Sequence, residues 1–173
     1  MTRQEAYGEL NITTLLIPVG YANRPQGANC HKYITVHETD NEDDGADADA
    51  HAKYLLGKDA RKRRVSWHFT VDEDETIKHL PSTETAWHTG TSRGNSASIG
   101  IEMCVNGGTL AEATLNRTAL LCAVLCKTIH IETKNIRQHH DWSGKDCPAK
   151  LRASGRWDEF IGMVEGFLAG FDW

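Results

Sequence analysis

No stretch of this sequence approaches the roughly 20 apolar residues that a membrane-spanning helix requires, which excludes a helical span. The segment Met1 to Glu9 lacks the apolar centre of a signal peptide, so synthesis and folding in the cytoplasm are expected. Basic charge is also short: 19 Lys and Arg face 24 Asp and Glu, for a net charge of −5. Duplex nucleic acid is bound through dense Lys and Arg, so it is excluded as a partner. The five cysteines, Cys30, Cys104, Cys122, Cys126 and Cys147, are odd in number and lack the spacing of a disulfide framework. There is no repeat, low-complexity tract or proline-rich linker, and 173 residues suffice for one core, so one domain, monomeric, is expected over 1–173.

Periodicity gives the architecture. Tyr33 to His37 is a β-branched strand ending in a polar turn, and Val65 to Val71 and Ser98 to Val105 alternate apolar and polar positions. A short strand is expected over Thr76 to Leu80, with helices over Ala46 to Leu56, Leu110 to Ile129 and Arg156 to Leu168. The longest helix shows a stripe of Leu121, Val124, Leu125 and Thr128, and the last one Trp157, Phe160, Ile161, Val164 and Leu168. The segment before Tyr33, with Pro18, Gly20, Pro25 and Gly27, reads as irregular. These features predict an α/β fold: a mixed central sheet with helices packed on the face that carries Ile34 and Val36. His37, His68 and Glu102 then fall on the opposite, polar side of three strands.

The loop from Gln138 to Pro148 packs His139, His140, Lys145 and Cys147 into a short, turn-rich stretch. Zinc takes imidazole nitrogen and thiolate sulfur readily, and three protein ligands leave a fourth position for water, the arrangement of hydrolytic sites. The strand-end His37 is the best further ligand. His139 and His140 are both in place for the loop's imidazole. Cys122 and Cys126, four apart in an apolar helical stretch, read as core thiols rather than a metal pair. Asp40 to Asp49 superficially has calcium-loop spacing, but Glu42 is an unusual occupant and His51 stands where a glutamate is needed, so it reads as a solvated turn.

Several ordered motifs together carry a family resemblance: Asn23-Arg24-Pro25, Tyr33 to Thr39, Val65 to Asp72, Ala86-Trp87-His88-Thr89-Gly90, Asn95 to Glu102, and His139 to Pro148. On these the chain resembles the zinc-dependent N-acetylmuramoyl-L-alanine amidases of phage endolysins and bacterial autolysins, relatives of the peptidoglycan-recognition proteins. The resemblance implies a Zn2+ site made by His37, His139 and Cys147, with Glu102 as general base and Lys145 as stabiliser of the oxyanion. His140 is then a neighbour of the site. Trp67 stands where some relatives have tyrosine, which shifts weight to Glu102.

Trp67, His68, Trp87, His88 and Asn95 are the candidates for contact with substrate. His68 is open between lining the site and a structural hydrogen-bonding role, and Trp87 between a cleft wall and a core position. The basic run Lys58 to Arg64 is expected to cap the end of the preceding helix, or else to touch an anionic wall. The implied activity is cleavage of the amide between N-acetylmuramic acid and the L-alanine of the stem peptide, with peptidoglycan as partner. The missing signal peptide points to a phage or prophage endolysin that acts on the wall after release, carrying no wall-binding module of its own. The rival expectations are a peptidoglycan-binding module without chemistry and a zinc amidase acting on soluble muropeptides in wall recycling.

Overall fold

Alternation in the strands separates two faces of one sheet, and almost everything else follows from what covers each face. A computed structural model describes residues 1–173. In chain order the elements are α1 (Arg3–Leu10), β1 (Ile12–Thr14), β2 (Tyr33–Glu38), α2 (Ala48–Leu56), α3 (Lys58–Arg63), β3 (Phe69–Val71), β4 (Thr76–Lys78), α4 (Ser92–Ala97) and β5 (Ser98–Met103). They continue with α5 (Glu112–Ile129), β6 (Ile136–Gln138), α6 (His140–Ser143), α7 (Ala149–Ala153) and α8 (Trp157–Gly170). The strands form one sheet in the order β1-β4-β3-β5-β2-β6. β3, β5, β2 and β6 are mutually parallel, β4 is antiparallel to β3, and β1 is parallel to β4, so the sheet is mixed.

One face carries Ile34, Val36, Phe69, Val71, Ile99, Ile101 and Met103, all buried in the main core with α1, α5 and α8. In α5 nine consecutive residues, Thr118 to Cys126, are buried, because the sheet lies on one side of the helix and α1 and α8 on the other. Thr128, expected on the buried stripe, is exposed, and its hydroxyl donates to the Val124 carbonyl. Cys122 and Cys126 are core thiols, and burial pushes both up, Cys126 to about 12. In α8, Phe160 and Val164 are buried, while Trp157, Ile161 and Leu168 pack partly buried against the same core.

The other face is covered unevenly. Ile77, paired with Thr70 across β3 and β4, packs under Ala48 and Ala52 of α2. A second cluster of Ile17, Leu55, Ala60, Trp67, Leu80 and Ala86 fills the space beside it. The β2 and β5 half of that face is left for the cleft described below.

Four local differences from the sequence expectation have physical causes. The segment before Tyr33 is irregular around Pro18 to Gly27, as expected, but not at its start: Thr2 and Glu5 form a reciprocal capping box that initiates α1, which a weakly apolar sequence conceals. Edge strands β1 and β6 are three residues each, too short to leave an alternation pattern. The Val65 to Val71 strand begins only at Phe69, because the Ser66 N–H bonds to the Trp87 carbonyl instead of to a neighbouring strand. The basic run forms its own helix, α3, beyond Gly57, rather than capping α2. No helix is long and apolar enough to cross a membrane.

Phe160 is fully buried at the α8 contact with α5 and packs its ring 5.5 Å from that of Trp157. Phe160→Ala should therefore lower unfolding free energy by about 3–5 kcal/mol, measured by urea denaturation, without shifting the chemistry of the opposite face.

Candidate metal centre and cleft

The β2–β5 register pairs His37 with Glu102 and Thr35 with Gly100, so these four residues share the polar face in two adjacent rows. His37 is the penultimate residue of β2, buried like Glu38 after it, and its ring meets two other imidazoles. Its Nδ1 lies 3.0 Å from Nδ1 of His139, and its Nε2 lies 2.8 Å from Nδ1 of His88. Cys147 Sγ is 3.8 Å from the same His37 Nδ1. Ligand atoms of His37, His139 and Cys147 all lie within 4.8 Å of one another, and all three residues are buried.

The loop is held over the sheet by bonds to β2. The Glu38 carboxylate accepts the backbone N–H groups of Lys150 and Leu151 at 2.8 and 2.9 Å, fixing the chain just after Cys147. Trp142 Nε1 donates to Thr35 Oγ1 at 2.9 Å, and its ring meets Tyr33 edge-on, which fixes α6 just after His139. His140, at the start of α6, is not part of the cluster, so the structure brings His139 and not its neighbour to His37.

His88 occupies a seat that exists only because residue 100 is glycine: a Cβ there would lie 2.6 Å from His88 Nδ1. Asn95 secures the loop, its Oδ1 accepting from His88 N, Thr89 N and Thr89 Oγ1 at 2.9–3.0 Å. Asn95 thus lines the cleft with an oxygen already engaged by backbone.

Burial dominates the electrostatics. It holds His37 well below the ordinary imidazole range, helped by His88 and His139, and lowers His139 as well, so both rings are neutral. The same burial pushes the Cys147 thiol up to about 12, with the Glu102 charge adding to it. Glu102 is driven well above the carboxylate range by burial; its Oε1 is 3.9 Å from His37 Nδ1 and its Oε2 is buried without a partner. Two neutral imidazoles, a thiol that needs a counter-charge to ionise, and an orphaned carboxylate oxygen fit a divalent cation. Tetrahedral zinc would space such donors by about 3.3–3.6 Å; His37 Nδ1 stands 3.0 Å from His139 Nδ1 and 3.8 Å from Cys147 Sγ, so small side-chain shifts would admit the ion.

A cleft of about 860 Å³ opens over this cluster, lined on its floor by His37, His88, Glu102, His139 and Cys147. Lys145 stands at its wall, Nζ 2.8 Å from Asp40 Oδ2. Trp87 is half-buried in the wall, and Trp67, nearly buried, lines it while stacking on Tyr54. His68 does not line the cleft. It is fully buried on the polar face, with Nδ1 accepting from Gly100 N and Nε2 donating to the Glu84 carbonyl, both at 2.9 Å. Glu38, Gly100 and Trp142 were not singled out from the sequence, and Asp40 was read only as part of a solvated turn; of these, Gly100, a glycine inside an alternating strand, carried a signal of close approach.

Residues 26–150 match the family described as N-acetylmuramoyl-L-alanine amidase. The chain is 46% identical over 160 residues to N-acetylmuramoyl-L-alanine amidase XlyA of Bacillus subtilis (strain 168), an alignment that covers 91% of this chain and 52% of that protein. It therefore spans about half the length of this curated relative. Among solved structures, a mutant endolysin from Bacillus subtilis superposes with TM-score 0.83 at 43% identity, covering 90% of this chain and 99% of the other. The catalytic domain of XlyA does so with TM-score 0.82 at 43% identity, covering 89% and 99%.

His68 and His79 give the fold a defined acid sensitivity. His79 Nε2 is 2.8 Å from Thr70 Oγ1, which also accepts from Trp67 Nε1 at 2.7 Å, and burial holds both histidines at about 4. Unfolded, each takes up its proton near 6.5. The unfolded chain therefore binds more protons between these values, so stability is complete above pH 6.5 and falls as pH drops toward 4, by about 3 kcal/mol per histidine at most. Urea unfolding from pH 7.5 to 4.5 should show this slope, and His79→Gln should reduce the loss by up to about 3 kcal/mol, the other buried histidines keeping the remainder; an unchanged slope would mean that His79 is not neutral in the fold.

Proposed function

The chain belongs to the N-acetylmuramoyl-L-alanine amidase family, and on that premise we propose that it is a zinc-dependent peptidoglycan hydrolase. It cuts the amide between the lactyl group of N-acetylmuramic acid and the L-alanine of the stem peptide, in the manner of a phage or prophage endolysin. One juxtaposition carries this reading: two neutral imidazoles and a thiol converge beside a buried carboxylate with a free oxygen, at the floor of an open cleft.

His37, His139 and Cys147 would hold the zinc ion. When bound, zinc supplies Lewis acidity to a carbonyl oxygen and lowers the pKa of water toward neutrality. Everything else falls to the chain. An amide is a poor electrophile and its amine a poor leaving group, so the site needs a base, an oxyanion partner and a proton for the departing nitrogen. The Glu102 carboxylate, returned to its ionised form by the positive charge of a bound cation, would take the proton of the attacking water and return it to the leaving amine of alanine. Lys145 holds the developing oxyanion, its ammonium kept at the cleft wall by Asp40.

His88 has a positioning role. His37 would hold the ion through Nδ1, and its ring proton would then sit on Nε2, 2.8 Å from His88 Nδ1, which would accept it and fix both tautomer and ring plane. Trp87 in the wall offers an aromatic face to a sugar or peptide. One chain supplies every group of the site, so the activity needs no second copy. The near-complete coverage of the XlyA catalytic domain supports reading residues 1–173 as one catalytic domain.

The test is release of new amino-terminal alanine from purified peptidoglycan, with the protein as purified, after chelation, and after zinc is restored. Alanine should appear, vanish and return. Cys147→Ser should lose both zinc and activity, whereas Glu102→Gln should keep zinc and lose at least about 100-fold in kcat. Binding to the wall with no alanine in any arm would sink the enzyme and leave a recognition module. Gly100→Ala, which unseats His88, should weaken zinc binding roughly 10- to 100-fold in competition with a chromogenic chelator.

A further inference from the structure

The positive groups that line the cleft differ in whether they are paired. Lys145 is neutralised by Asp40, whose chain neighbours Thr39 and Asn41 also line the wall and add no positive charge. The wall also holds Arg63 and Arg64, beside Trp87 and Tyr54, and neither takes part in any ion pair in the structure. In a chain of net charge −5, two adjacent guanidinium groups without a carboxylate partner, facing a cleft, are an unfilled electrostatic demand.

Their setting prepares them for one kind of ligand. Arg64 ends α3 in the left-handed region, φ 53, a conformation that non-glycine residues rarely adopt. Its Cζ lies 6.0 Å from the centre of the Trp87 ring. Arg63 Nη1 donates to Tyr54 Oη at 3.3 Å, and Tyr54 is itself stacked on Trp67. A guanidinium resting on an aromatic face uses its π surface there and keeps its N–H edge free, and that edge matches a carboxylate with two parallel hydrogen bonds.

We propose that Arg63 and Arg64, backed by Trp87 and Tyr54, form a subsite for a free carboxylate of the stem peptide and so set the direction in which substrate lies. This rests on the amidase reading. The lactyl carboxyl is consumed in the scissile amide, so the sugar side brings no charge to the cut, whereas the departing peptide carries free carboxylates. Trp87 is followed in the chain by His88, which touches His37, so the subsite adjoins the cluster. The peptide therefore runs toward α3, and the neutral sugar lies on the side of the scissile bond away from it. Where the glutamyl carboxylate of the stem is amidated, the guanidinium groups lose their partner, and the subsite discriminates between the two wall chemistries.

Two synthetic muramyl peptides, identical except for a glutamyl carboxylate or carboxamide, test this. The unsubstituted protein should prefer the carboxylate in kcat/KM, chiefly through KM. Arg64→Ala and Arg63→Ala should each reduce that preference roughly tenfold, and Arg64→Lys should restore it only in part, because an ammonium lacks the planar fork. Lys62→Ala, on the same helix but outside the cleft, removes the same charge and should leave the preference intact, which separates a local contact from a general field. Equal preference in all proteins, or an equal loss in Lys62→Ala, would overturn the subsite while leaving the amidase in place. Failure of the unsubstituted protein to cut either peptide or whole peptidoglycan would overturn both.

Discussion

The parallel pairing of β2 with β5 is the constraint on which the rest depends. Because strand side chains alternate with a period of two, this register decides that His37 and Glu102 stand side by side on one face while Val36 and Ile101 stand together on the other. A slip of one residue would place an imidazole and a carboxylate in the core with α5 and bring Val36 or Ile101 to the cleft floor. The apolar partners in α5 therefore hold the catalytic face in place from behind: burying Ile34, Val36, Ile99, Ile101 and Met103 specifies the register that the chemistry needs.

On the polar face, burial produces reactivity without stabilising it. Three imidazoles, a thiol and a carboxyl group sit together with little water, and each is pushed toward its neutral form. Such a cluster is costly unless a charge of the opposite sign enters it, which is why its donor set points to a cation and why Lys145 and Asp40 meet at its rim rather than within it. The surrounding hydrogen bonds have a division of labour. Glu38 and Thr35 tie the cysteine loop to β2, and Asn95 with Gly100 seat His88 behind His37. His68 belongs to this support and not to the cleft: its two nitrogens join β5 to the loop at Glu84, leaving neither free for substrate.

Local pattern was a good guide wherever a segment is long enough for its periodicity to be read. The β2 and β5 strands, α5 and α8 all stand within a few residues of their expected bounds, and the helices do cover the face of Ile34 and Val36. Pattern was silent where stability comes from one bond or one neighbour. α1 exists through the exchange between Thr2 and Glu5, β1 and β6 through pairing at the sheet edges, and the loss of strand at Val65 to His68 through a bond to Trp87. Composition likewise suggested that Lys58 to Arg64 would close α2, but Gly57 separates them and gives the basic residues a helix of their own, whose end brings Arg63 and Arg64 to the cleft.

The sequence by itself determined the kinds of groups in this protein: a helix-covered mixed sheet, histidines and a carboxylate on its polar side, and a loop with imidazole, ammonium and thiol. Those follow from residue type and spacing, which are local properties. Only the tertiary structure decided which of two adjacent histidines meets His37, that His88 and Gly100 fit each other, that His68 turns its nitrogens to backbone, and that Arg63 and Arg64 look into the cleft. Each of these depends on atoms brought within a few ångströms from segments as far apart as residues 37 and 139, through packing and register that no single segment encodes.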